Sequence, residues 1–598
     1  MILTYIVLLS FSSFIPFCAP MSRPISRPRI ITSTAGLLHS PGPSQIFRRD
    51  SDWGELASPY PISPISDLPI LNKYSLAADP QTWGTNLSPD VKETDDELHN
   101  PIVRKRRLLG SGLSFYSFRG IGNITCLFVL CGALLTMFVG YPIIAYVHEQ
   151  REAVSSVLGV NASGQVPDIG NFGLIDLDTP EDAHYFTSWR DGKQLRLVFS
   201  DEFEEEGRSF YPGDDPFWEA VDLHYWETNN IEWYDPAAVT TINGSLALTL
   251  SAKETHGLDY QGALVQTWNK FCFTGGYLAA SVQLPGINNI VGLWPAVWVM
   301  GNLGRAGYGA SLDGLWPYTY DSCDVGTAPN QTINGLPSVS QTNVVSYLSG
   351  QRLSRCTCDG ESHPGPKHPD GTYVGRSAPE IDVFEALVSD GSGQVSQSGQ
   401  WAPFNAAYAW DNSSDNLIIA DSSVSTLNTY VGGLSQQATS VVSKTNPECY
   451  QLAESACFSI YGFEYKPGYE SDNAYITWVN DGKLAWTINA AGMKADPATE
   501  IAARPVPQEP MYIMANLGMS TNFGDVDLDH ITFPAVMLID YVRVYQDPDN
   551  INIGCDPEDF PTAKYIATYN EAYQNPNLTT WVDDYGMTVP KNSLLDEC

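Results

Sequence analysis

Ile124 to Val147 is an uninterrupted run of 24 uncharged residues rich in Leu, Phe, Val and Ile, and it cuts the chain into two parts that cannot share one core. A helix of that length spans a bilayer with some tilt. A buried core helix is the competing reading, and the complete lack of charge over that length weighs against it. Arg104-Lys-Arg-Arg107 and Arg119 precede the run, while His148-Glu149 follow it. The positive-inside rule therefore predicts residues 1–123 in the cytosol and everything beyond 147 in the lumen or outside, a single-pass type II arrangement. Met1 to Ala19 is apolar enough for a signal peptide but has no basic leading region, and Met21, followed by Arg23, Arg27 and Arg29, is an alternative start.

Charge and cysteine usage divide at the same place. Residues 1–123 hold 12 Lys/Arg and 10 Asp/Glu; of the chain's 32 basic and 68 acidic residues, 20 and 58 lie beyond the apolar run. So acidic a region is a poor partner for nucleic acid, whose phosphates need cations, and suits a neutral ligand such as uncharged polysaccharide. Eight cysteines follow the run: Cys272, Cys323, Cys356, Cys358, Cys449, Cys457, Cys555 and Cys598. An even set in a lumenal region reads as disulfides. Zinc is the alternative for Cys356-Thr-Cys358, against which stand the short spacer and the missing second ligand pair. Sequons at Asn161, Asn243, Asn330, Asn412 and Asn577 are candidate glycan acceptors.

Residues 20–123 are dense in Ser, Pro and Arg without a hydrophobic period, which predicts a disordered tail suited to trafficking partners or phosphorylation. The expected organisation is a cytosolic tail over 1–123, a transmembrane helix over 124–147, a stem over 148–190, a β-sandwich over 191–546 and a disulfide-tied extension over 547–598. Strands are expected at Leu195–Phe199, Ser245–Leu250, Gly276–Val282, Tyr475–Val479 and Met537–Tyr545, separated by Gly, Pro and Asn. Insertions at about 301–375 and 405–455 interrupt them, and long loops in a compact domain tend to be functional.

Within that β pattern, Ala378-Pro-Glu-Ile-Asp-Val-Phe-Glu-Ala-Leu387 carries three carboxylates on one apolar strand. Strict alternation puts Glu380 and Asp382 on one face and Glu385 on the other. One bulged residue near Val383–Phe384 returns Glu385 to its partners, and bulges are common beside active sites. Glu380 and Glu385 then stand about 13 Å apart at Cα. Inward-leaning side chains from there can bring the carboxyls to about 5–5.5 Å, the separation used in retaining glycoside hydrolysis. The same spacing at Asp50/Asp52/Glu55 and Asp176/Asp178/Glu181 reads as structural, because the first lies in the Ser/Pro-rich tail and Thr179-Pro180 stops the second from running as a strand.

Four ordered segments resemble glycoside hydrolase family 16: Leu197-Val-Phe-Ser-Asp-Glu-Phe203, Gly292-Leu-Trp-Pro-Ala-Val-Trp298, Glu380-Ile-Asp-Val-Phe-Glu385 and Ile539-Asp-Tyr-Val-Arg-Val-Tyr545. Three further segments, starting at Trp268, Leu315 and Asn575, together with the type II anchor, resemble the fungal β-glucan synthesis-associated membrane glycoproteins (the Skn/Kre type). That resemblance implies an all-β, concanavalin-like jelly-roll ectodomain, a place in the secretory pathway or plasma membrane, a role in cell-wall β-1,6-glucan formation, and no metal or redox cofactor. It further implies that Glu380 is the nucleophile, Glu385 the general acid/base, and Asp382 the residue that holds their pKa values apart. Trp294, Trp298, Trp316 and Tyr318 are candidate sugar-stacking residues, and Gln397 and Asn516 candidate partners of sugar hydroxyls. For each, filling the core or covering the rim is the competing role. Many hydrolytic members carry a His shortly after the bulged strand, whereas Val395-Ser-Gln-Ser-Gly-Gln400 has none, which favours transfer to an acceptor glycan over hydrolysis. A non-catalytic glycan-binding scaffold and an adaptor acting through its cytosolic tail are the alternatives.

Overall fold

The computed structural model describes residues 173–598 apart from 338–345, 406, 456 and 471–472. The expected tail, apolar run, candidate signal peptide, first part of the stem and Asn161 lie outside the described residues. Among the described residues no helix is long and apolar enough to cross a membrane.

The longer strands are, in chain order, β1 (Gln194–Asp201), β2 (Ser245–Leu250), β3 (Tyr260–Gln266), β4 (Gly276–Gln283), β5 (Trp294–Gly301), β6 (Glu380–Ser389), β7 (Ser392–Trp401), β8 (Gln437–Lys444), β9 (Ser459–Lys466), β10 (Tyr475–Asn480), β11 (Lys483–Asn489), β12 (Met511–Gly518) and β13 (Ala535–Gln546). They form two sheets, ordered β1–β13–β4–β9–β10–β11 with β2 also on β13, and β8–β7–β6–β5–β12–β3; short edge strands bring each sheet to ten. Neighbours along both paths are antiparallel. The result is an all-β, jelly-roll-like sandwich, and each of the five expected strands lies within or across one of these.

Alternation along the strands builds the core. Leu278, Ala280 and Val282 of β4 face Val297 and Val299 of β5, Ile381 of β6 and Ile513 and Ala515 of β12 in one buried apolar cluster between the sheets. The alternate residues of the second sheet make a separate cluster on its outer face. There Ala296, Trp298 and Met300 of β5 and Tyr512 and Met514 of β12 pack under Leu303 and Leu315 of the β5–β6 connection and under Tyr565, Tyr573 and Trp581 of the C-terminal segment. This added layer contains only short helices, Ala563–Thr568 and Asn570–Gln574 among them.

Covalent and ionic bonds hold the layer down. Cys272–Cys555 and Cys358–Cys598 tie the C-terminal segment back, while Cys323–Cys356 lies within the first insertion and Cys449–Cys457 ties a short loop at the end of the second. Cys356 and Cys358 thus serve different disulfides, which removes the zinc alternative at that pair. Arg376, fully buried, donates to both Glu509 oxygens at 2.8 and 2.7 Å and to the Gly365 and Pro561 carbonyls at 2.8 Å. It thereby joins the insertion, the extension and the chain just before β12.

Two boundaries differ from expectation. The strand Tyr185–Thr187 already pairs with β1, so the sandwich begins inside the stem expected to run to 190. β8 lies inside the expected 405–455 insertion, because its alternating apolar and polar residues complete the second sheet beside β7.

Candidate functional site

The acid-bearing strand is bulged. On the β5 side Phe384 pairs with Val297 and Asp382 with Trp298, leaving Val383 as the extra residue. On the β7 side Asp382 pairs with Ser398 and Glu385 with Ser396, so Val383 and Phe384 together stand opposite Gln397. Both apolar residues turn inward, fully buried in the sandwich core. Glu380, Asp382 and Glu385 are left on the outer face. The pull of two adjacent apolar side chains toward the core drives the bulge, since a regular strand would bury one of the pair and expose the other.

Each carboxylate has its own support. Trp316 Nε1 donates to Glu380 Oε2 at 2.6 Å, and Trp294 Nε1 donates to Glu385 Oε1 at 3.1 Å. Asp382, 2% exposed, accepts from Ser398 Oγ at 2.7 Å and Gln400 Nε2 at 2.9 Å, both on the outer face of β7. Glu380 and Glu385 are half-buried, at the margin where the added layer stops. The Trp294 ring in turn stacks on Phe523, centroids 4.2 Å apart.

Burial pushes all three acids up, and the charge of Asp382 adds to it at the two glutamates. Burial leads at Glu380, followed by the charge of Asp382, against the Trp316 bond that favours its anion. Burial also raises Asp382, opposed by Ser398 and Gln400. Glu385 is pushed up to about 8 by burial and then by Asp382, opposed by Trp294. A carboxyl in that range keeps its proton at neutral pH and can donate it.

The other residues singled out from the sequence divide. Trp294 and Trp316 belong to the site, each through its indole N–H. Trp298 shares their face but is only 8% exposed; it lies under the added layer and donates to Asn516 Oδ1 at 2.8 Å. Asn516, 7% exposed, spends its other end on Tyr234 Oη at 3.3 Å. Both are struts beneath the site rather than exposed ligand contacts. Tyr318 does not line it: the ring is fully buried in a small third cluster with Tyr320, Phe404 and Ile501, and its hydroxyl accepts from Gln331. Gln397 faces the opposite way, into the core, because the strand period that sends Ser396 and Ser398 outward sends Gln397 inward. Asn243, Asn330, Asn412 and Asn577 are all exposed.

Some neighbours went unread. Ser398 and Gln400 form an i, i+2 pair on the strand after the acids, but which parity of that strand faces them is set by the register between the two strands. Glu227 carried no such signal. Burial pushes its carboxyl up to about 7, and neither oxygen has a hydrogen-bond partner among the described residues. The Tyr225 hydroxyl is raised by burial and then by the charges of Glu227 and Glu380, so these groups share one region. Two hollows of about 450 and 470 Å³ lie elsewhere, one beside Arg190 and Asp411, the other beside His224 and Asn230.

The chain is thus a two-sheet β-sandwich that carries three acids on the outer face of one bulged strand. The chain belongs to the family described as beta-glucan synthesis-associated protein SKN1/KRE6/Sbg1, whose model matches residues 85–598. It is 42% identical over 521 residues to beta-glucan synthesis-associated protein KRE6 of Saccharomyces cerevisiae, covering 85% of this chain and 69% of that protein. It is 43% identical over 520 residues to beta-glucan synthesis-associated protein SKN1 of Candida albicans, covering 85% and 67%. Among solved structures it is similar to the catalytic domain of an endo-1,3-beta-glucanase (laminarinase) from Thermotoga petrophila, 19% identical, covering 59% of this chain and 98% of that one. The TM-score there is 0.34, too low to decide anything about this chain.

Proposed function

We propose that this chain is a glucan-active transglycosylase or glycosidase of cell-wall β-glucan formation, anchored by the apolar run Ile124–Val147 and working by a retaining mechanism. The observation that carries the reading is the bulge at Val383, which sets Glu380 and Glu385 on one face with an indole N–H on each. The names of the relatives support the wall-glucan context. The four disulfides support an oxidising compartment, and the exposed sequons fit glycan acceptors there.

In the first step Glu380 attacks the anomeric carbon and the glycosidic C–O bond breaks as Glu385 passes its proton to the leaving oxygen. In the second, an acceptor hydroxyl gives its proton to Glu385 and attacks the same carbon, releasing Glu380 as a carboxylate. Burial and the charge of Asp382 raise Glu380, while Ser398 and Gln400 favour the Asp382 anion, so the proton of the pair must leave Glu380 for solvent before it attacks; the Trp316 N–H favours that loss by stabilising the Glu380 anion.

Product analysis with the full-length chain in detergent tests this, using defined β-1,3- and β-1,6-glucan oligosaccharides. Longer or shorter products are expected from the wild type, and Glu380→Gln should lower the rate by about 10⁴-fold or more. Unchanged oligosaccharides with bound glucan would leave a glycan-binding scaffold instead.

A further inference from the structure

Two backbone carbonyls at the bulge, those of Asp382 and Val383, accept from side-chain donors. Both are met from inside the sandwich. Trp478 Nε1, on β10 of the opposite sheet, donates to Asp382 O at 2.8 Å. Gln397 Nε2 donates to Val383 O at 2.9 Å and, with its second hydrogen, to Val479 O at 3.0 Å. Gln397 and Trp478 are fully buried. Among the described residues Gln397 Oε1 has no partner, so the two carbonyls orient the amide.

The opposite sheet is irregular at the same place. β10 pairs Trp478 with Trp486 and then Val479 with Leu484, which leaves Ala485 as an extra residue in β11. The Trp478 and Trp486 rings stack with centroids 4.1 Å apart. Two irregularities thus face each other across the core, linked by two neutral side-chain donors.

We infer that Trp478 and Gln397 are positioning residues that clamp the Val383 bulge and so hold Glu385 on the same face as Glu380. This rests on the reading of those two glutamates as the reacting pair. The physical reason is register. A strand relieved of its extra residue slips by one, and a slip of one turns every later side chain to the other face. Glu385 would then point into an apolar core. Donors on the two bulge carbonyls are bonds that the slipped register cannot make, because a regular strand pairs those carbonyls within its own sheet. Neither donor titrates, so the clamp does not change with pH.

Trp478→Phe keeps the stacked ring and removes the N–H, and Gln397→Met keeps the length and removes the amide. Trp486→Phe is the matched control, since its indole N–H has no partner among the described residues. All are assayed well below their melting temperatures on the full-length chain. The clamp is expected to show as a fall in kcat of about 10²-fold in Trp478→Phe with KM little changed. A displaced alkaline limb should accompany it, and Trp486→Phe should behave as wild type. Equal losses in Trp478→Phe and Trp486→Phe, or a lower melting temperature with unchanged kcat and pH profile, would overturn it.

A crystal structure of the Trp478→Phe/Gln397→Met variant judges the clamp without any activity. Glu385 displaced from Trp294 supports it, and an unaltered bulge with Glu385 in place refutes it. Should the double variant not fold, the structure of Trp478→Phe carries the same comparison. A wild-type chain that turns over no glucan defeats the enzymatic reading and leaves this structural comparison standing.

Discussion

Glu385 takes its indole N–H from Trp294, on the strand next to its own and two residues along from its pairing partner Ala296, whereas Glu380 takes the same bond from Trp316, which is 64 residues away in sequence and arrives in an added layer. One support is part of the sandwich. The other depends on the β5–β6 connection folding over the sheet and staying there. That layer rests on a second apolar cluster, two long-range disulfides and the Arg376–Glu509 pair, with short helices and few strands of its own. The two acids therefore share their chemistry and differ in what must be intact for each to work. The proposed nucleophile is the more fragile of the two.

The largest expected effect breaks the layer and spares the sandwich. Arg376→Met leaves Glu509 a buried charge without its partner, which costs about 3–5 kcal/mol. Limited proteolysis of that variant should release fragments from the 302–379 connection and the C-terminal segment before the sandwich yields, with glucan turnover lost at the same denaturant concentration. A single transition for all fragments would dissolve the distinction between the two regions.

A smaller effect is expected when the layer stays and only its bond to Glu380 goes. Hydrogen bonds to charged groups are worth about 1.5–3 kcal/mol. Trp316→Phe removes a donor that favours the Glu380 anion, so the pKa of Glu380 rises further and its ionisation moves to higher pH. The acid limb of the rate profile should move up, and turnover below that limb should fall roughly tenfold or more. An acid limb that stays in place would mean that Trp316 serves the layer and not the acid.

The smallest effect belongs to the sandwich side. Trp294→Phe removes a donor from the anion of Glu385, a group already pushed up to about 8. Its pKa rises again, the proton is held to higher pH, and the alkaline limb moves up with little loss at neutral pH. Its stacking on Phe523 survives in the phenyl ring, so stability should change little; thermal melts and a pH–rate profile check both. A loss as large as that of Trp316→Phe would show the two supports to be equivalent.

Much of this was readable from residues alone, for local reasons. Apolar residues alternate in β1, β4 and β13, and Ile381-Asp-Val-Phe384 places two apolar residues side by side between acids, so a bulge was the one way to bury both. Trp294 was legible as a site residue because it shares a strand face with its neighbours. Gln397 was misplaced because its face depends on where the bulge sits relative to β7, a register that spans two strands. Tyr318 was misplaced because an insertion has no period by which to count. Trp298 and Asn516 were put on the correct face, but nothing local showed that the added layer covers the first and that Tyr234 occupies the second.

By itself the order of residues determined the strands, the acid cluster and its kink, since these follow from side chains a few positions apart competing for one apolar interior. Which cysteines join, which indole reaches Glu380, and how far the outer face of the second sheet is covered were decided only by the folded molecule. Those contacts unite segments tens to hundreds of residues apart, and no local rule of alternation or spacing carries information over that distance.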